Sequence, residues 1–219
     1  MFREFFEIWK KAGLLSTATE EVEKMLFVAK DMFTFSLRVL MDKEKEEEDI
    51  YEIDQKLNKL LINVRKKILE HLSVNPSQDV TSCLILITIA IDIERIGDYS
   101  KNLIELSHRY PSPLKEGYTG RIREIENEIT ELFDETINAF KNADIDLGKE
   151  IMVRHAKLAP LCEKIIDDLI EDREISSKIG IVYALLARHL KRVSAHLKNI
   201  ASSVVNPFHR LGYKPKNVG

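Results

Sequence analysis

Cysteine is nearly absent from this chain: Cys83 and Cys162 are the only two, each inside an apolar helical pattern and neither in a CxxC spacing. That excludes a disulfide framework and a thiolate zinc site, and leaves both as small hydrophobes. Glycine and proline number only 8 and 6, and most fall into a few clusters, so long uninterrupted elements are expected between them. Long hydrophobic runs are missing too. The most apolar stretch, Leu84 to Ile91, is too short to cross a bilayer, so any membrane contact should be peripheral. No basic segment leads into a long apolar run near the start, which points to the cytoplasm. Neither sign of charge dominates: 33 Lys and Arg stand against 36 Asp and Glu, so no basic field invites nucleic acid. GxxxxGK[ST], GxGxxG and HExxH are all absent, and nothing arranges a nucleophilic triad, so an enzyme is not expected.

What is present is helical periodicity. Apolar residues recur every three or four positions, and nothing alternates at period two. Six helices are predicted: about 20–41, with Thr17 and Glu20 spaced as a capping box; from the acidic run 44–49 to about 72; from Ser77 as N-cap to about 108; 121–142; from Asp144 or Asp146 to about 172; and 176–205. The third and sixth helices align without gaps. Ile89 to Leu103 matches Leu186 to Ile200, with Arg95/Arg192, Lys101/Lys198 and Asn102/Asn199 coinciding. The fold class expected is therefore all-α, two tandem antiparallel three-helix bundles. Residues 1–18 would form an amphipathic N-terminal segment, 19–110 and 119–206 the two repeats, and 207–219 a mobile basic tail.

The informative residues are carboxylates that interrupt apolar stripes. Asp54 shares a line with Ile50, Leu57 and Leu61; Glu94 and Asp98 continue a line from Ile87 and Ile91 and form an i,i+4 pair. Two readings compete. Like charges partly buried on facing helices call for a hard cation held by oxygen ligands. Alternatively, the acids pair with Arg95, Lys59 or Lys101 at a solvated edge.

The segment Ile91-Asp-Ile-Glu-Arg-Ile-Gly-Asp-Tyr-Ser-Lys-Asn-Leu103, with Ile53-Asp54 upstream, resembles the acidic ExxxD signature of the PhoU family. The resemblance covers about residues 20–205. It implies a duplicated six-helix fold and a regulator that damps phosphate-starvation signalling, with a phosphate transporter and a sensor histidine kinase as partners. It also implies metal binding at the acidic motifs, here Asp54, Glu94 and Asp98, with Asp49, Glu52 or Asp92 assisting and iron, manganese, magnesium or zinc as the ion. The chain departs from the family pattern at Ile50, and in the second repeat at His155, Ala159, Lys191 and Ala195, so no second metal cluster is expected.

Partner contacts are sought elsewhere. Phe2, Phe5, Phe6 and Trp9 lie at helical spacing beside Lys10 and Lys11. They suit docking to a membrane surface or transporter, folding back on the bundle, or a homodimer. His189, Lys191, Arg192, His196 and Lys198 make the sixth helix basic. They form either a solvated face or a site for an acidic partner, the first repeat's own carboxylates included. Glu105 and His108 form a lone ExxH, which is too little for a ferritin-like di-iron enzyme. A helical non-haem iron protein and a cytoplasmic accessory subunit of another ion transporter are the alternatives to a phosphate regulator.

Overall fold

The computed structural model describes residues 13–114 and 117–214. Six long helices follow one another: α1 (Gly13–Leu37), α2 (Ile50–Val74), α3 (Val80–Arg109), α4 (Thr119–Asn142), α5 (Ile145–Glu171) and α6 (Ser177–Val205). A π-helical turn at Arg38–Asp42 extends α1, and a 3-10 turn at Phe208–Arg210 follows α6. No strand occurs among the described residues.

Each helix exists because an apolar stripe needs cover. In α1 the apolar stripe Val22, Met25, Leu26, Ala29, Phe33 and Leu37 is fully or almost fully buried. It runs further upstream than expected, through Ala18 and Leu15. Thr17 is consequently no cap: it lies inside α1, and its hydroxyl donates back to Gly13 O and Leu14 O. The first bundle therefore begins before residue 19. Ser77 is not the cap of α3 either. Asp79 holds that position in the left-handed conformation at φ 57°, without a side-chain cap bond, and faces His71 Nε2 instead.

Within the first repeat α1 packs on α2 and α3, and α2 on α3; within the second α4 and α5 both pack on α6. Gly97 brings α2 and α3 close together, since a Cβ there would stand 2.5 Å from Leu57 Cδ2. The repeats join through α3 against α6 and α1 against α4. Phe33 and Phe133 meet at that second seam with centroids 5.5 Å apart. One hydrophobic core runs through both repeats. The two three-helix units are thus repeats of a pattern around a shared interior.

The C-terminal segment is not free as expected, at least to residue 214. Asn206 Nδ2 donates to Arg210 O and Tyr213 O, Lys198 Nζ to Gly212 O at 2.6 Å, and Gly212 N to Ser202 Oγ at 2.7 Å. Gly212 has φ 78°, the left-handed region that lets the chain turn back there.

Candidate functional site: a lysine-centred carboxylate cluster

The predicted acids Asp54, Glu94 and Asp98 come together along the α2–α3 seam. Asp54 is 8% exposed, which is deep for a carboxylate. Between the acids stands Lys101. Its Nζ lies 3.0 Å from Asp54 Oδ2 and 2.9 Å from Asp98 Oδ1. Asn58 Nδ2 also donates to Asp54 Oδ2 at 3.0 Å, and Arg95 Nη1 donates to Asp98 Oδ2 at 3.3 Å. Asp54 Oδ1 is buried without a hydrogen-bond partner. Of the three basic residues that the sequence offers as counter-ions, Lys101 and Arg95 take part and Lys59 is exposed.

The electrostatics follow from that placement. Burial pushes the Glu94 carboxyl above its ordinary range, and Asp98 and Asp54 push it the same way, while Arg95 and Lys101 oppose them. For Lys101, burial pulls downward, but hydrogen bonds to Asp98 and Asp54 outweigh it and hold the ammonium above its usual pKa.

Of the three assisting ligands expected, Asp49 and Glu52 lie outside this cluster at the start of α2, and Asp92 lies on the α3–α6 seam. Asp49 is the N-cap of α2, its side chain accepting from Tyr51 N at 2.8 Å. Glu52 is exposed in the first turn of the same helix, where a carboxylate suits the positive end of the dipole. Among the described residues no group of three or more His, Cys, Asp or Glu side chains is gathered as a metal-ligand set. An ion shared by Asp54 and Asp98 would compete with the Lys101 ammonium for Asp54 Oδ2 and Asp98 Oδ1.

The second repeat carries a different chemistry at the equivalent seam. Lys191, aligned with Glu94, forms an ion pair with Glu163 of α5. Ser194, aligned with Gly97, has its hydroxyl 2.9 Å from Lys191 O and 3.0 Å from His155 Nδ1. Burial lowers the pKa of His155 to about 4, helped by Lys198 and Lys191.

Helix α6 also turns part of its basic face onto α3. His196 Nδ1 lies 2.6 Å from Asp92 Oδ1, and Asn199 Nδ2 donates to the same oxygen at 3.0 Å. Arg192 Nε donates to Tyr99 OH at 3.0 Å. The Tyr99 ring lies 5.6 Å from that of His189 and 5.8 Å from that of His196. Asp92 aligns with His189 and Tyr99 with His196, so each half of the seam reproduces the other with changed residues. Asp92 thus belongs to the joint between repeats, and the described contacts of Lys191 and Arg192 are intramolecular. Phe2, Phe5, Phe6 and Trp9 lie outside the described residues.

Comparison with known proteins fits this architecture. The PhoU domain matches residues 22–107 and again 122–204, one match for each repeat. The phosphate-specific transport system accessory protein PhoU homolog of Pseudomonas aeruginosa is 28% identical over 171 residues, spanning 72% of this chain and 68% of that one. Homolog 1 from Thermotoga maritima is 23% identical over 201 residues, covering 87% and 85% of the two chains. The crystal structure of PhoU from P. aeruginosa superimposes with a TM-score of 0.73 at 22% identity, covering 87% of this chain and 95% of that one. A duplicated three-helix unit, an ExxxD helix in the first copy and a domain match over both copies lead to one conclusion: this chain belongs to the PhoU family.

Proposed function

We propose that this protein is a regulator of phosphate uptake and phosphate-starvation signalling that works by binding other proteins. The observation that carries the reading is the double PhoU-domain match, supported by relatives named as accessory proteins of phosphate-specific transport systems. Its partners on this reading are a phosphate transporter and a sensor histidine kinase, met at the cytoplasmic face of the membrane. No described helix is long and apolar enough to cross a membrane, which agrees with peripheral contact.

The surface supports an adaptor. Ile62 and Leu69 are 60% and 68% exposed at heptad spacing on α2, and Leu84 and Ile91 share a face of α3. Apolar side chains left in water are available for protein contacts. The titratable groups described above hold one another in structural pairs, and the adaptor role needs no catalytic residue. Self-association as a homodimer belongs to the same proposal.

Deleting the gene tests the reading. Phosphate-starvation genes should then be expressed in phosphate-replete cells, and phosphate uptake should rise. Unchanged expression and uptake would remove the regulatory role.

A further inference from the structure

We propose that Lys101 is the resident cation of the first-repeat carboxylate cluster, so that its ammonium does there what a bound metal ion would otherwise do. The proposal concerns only what neutralises Asp54, Glu94 and Asp98. It stands or falls independently of which proteins the chain binds.

The argument is one of charge and space. Asp54 is buried on an otherwise apolar line between α2 and α3, so its ionised form needs a positive partner. Lys101 lies on α3 and reaches across the seam, with Nζ within 3.0 Å of Asp54 and 2.9 Å of Asp98. One ammonium thus bridges carboxylates of two helices, which is the geometry a bridging metal would adopt with oxygen ligands. Its side chain is only 19% exposed, and the near-buried Asp54 lies on its inner side. Arg95 closes the outer side of Asp98 at 3.3 Å. A divalent ion entering this cluster would meet the charges of Lys101 and Arg95 and would have to displace the ammonium from Asp54 Oδ2 and Asp98 Oδ1 to bridge the two helices through those oxygens, with Asp54 Oδ1 the buried oxygen left without a hydrogen bond. Lys101 is three residues from Asp98, one helical turn on, so the chain carries its own counter-ion on the same face as the acid. The aligned Lys198 of the second repeat has no acids at the positions of Glu94 and Asp98 to bridge; it donates to Gly212 O instead. The bridging role therefore belongs to the first repeat alone.

The test uses the full chain, stripped with a chelator and titrated with Mn²⁺. In the unsubstituted protein, paramagnetic broadening should not pick out the amides of Asp54, Glu94 and Asp98, and the lysine Nζ resonance of Lys101 should persist in millimolar Mn²⁺. Lys101→Met should bind Mn²⁺ at least roughly tenfold more tightly than the parent chain, with a metal-dependent rise in Tm. Adding Asp98→Asn to that variant should abolish the gain. Selective, stoichiometric broadening at the three acids in the unsubstituted chain, lost in Asp98→Asn, would overturn the proposal. So would a folded Lys101→Met that gains no affinity for Mn²⁺. If Lys101→Met folds only when Mn²⁺ is added, the proposal is supported; if it stays unfolded with the ion, the resonances of the unsubstituted chain decide.

Discussion

His155 sits beside two lysines in a half-buried seam, and that position sets a pH dependence. Its folded pKa of about 4 lies below the unfolded value of about 6.5. A depressed histidine leaves stability whole above the unfolded pKa and erodes it as the unfolded chain takes up protons. The loss runs from pH 6.5 down to about 4 and reaches at most about 3 kcal/mol, less whatever solvent screening removes. His189, lowered by burial and by Arg188, acts in the same direction. Urea midpoints measured at pH 7 and pH 5 should therefore differ more for the parent chain than for His155→Asn; equal differences would remove this assignment. At this scale the sequence reveals the acids Asp54, Glu94 and Asp98, because a carboxylate on an apolar line stands out. It leaves the choice between a metal and a lysine open, since spacing does not show which way a long side chain reaches. Asp49 is ambiguous in sequence for a similar reason: an acid at a helix start can be a cap or a ligand. Its extended backbone, φ -75° and ψ 112°, with the bond from Tyr51 N, makes it a cap.

Gly148 shows how an element is held in place. A Cβ added there would lie 3.2 Å from Ala201 O and 2.8 Å from Val205 Cγ2, so the first turn of α5 lies close against the end of α6. The backbone carbonyl gives way poorly. Gly148→Ala gains about 1 kcal/mol of helix propensity yet should be net destabilising, by roughly 1 kcal/mol, as the helices part. A Tm at or above that of the parent would show the contact to be soft. All six helices are legible in the periodicity of their apolar residues, because each is held chiefly by the burial of one face. Their ends are not. Thr17 has the spacing of a cap because the stripe upstream of it is short. Ser77 has the look of one because a left-handed aspartate as the last residue before a helix carries no clear spacing signal.

Across the whole molecule, the joint between repeats carries a polar cluster beside its apolar contacts. Asp92 accepts from both His196 and Asn199, and its loss would leave two half-buried donors unpaired. Asp92→Ala should cost about 2 kcal/mol. In a double-mutant cycle with His196→Ala the coupling should exceed about 0.5 kcal/mol, and simple additivity would refute the pairing. The duplication is legible in the alignment of the third and sixth helices. The docking of the copies is not, because the rotation of one bundle against the other is set by long-range contacts that no local period encodes. That is why the sequence leaves open whether the basic face of α6 is solvated or meets the first repeat's carboxylates, and the structure turns part of it onto Asp92.

The near-equivalence of the two halves has an effect on recognition. A partner that sensed shape alone would find two similar footprints and could settle in either of two opposed poses. Asp98 with Arg95 marks one footprint, while Lys191 with Glu163, its charges reversed along the helices, marks the other. Sequence divergence after the duplication has thus labelled the two ends, and a partner that senses charge can bind in a single orientation.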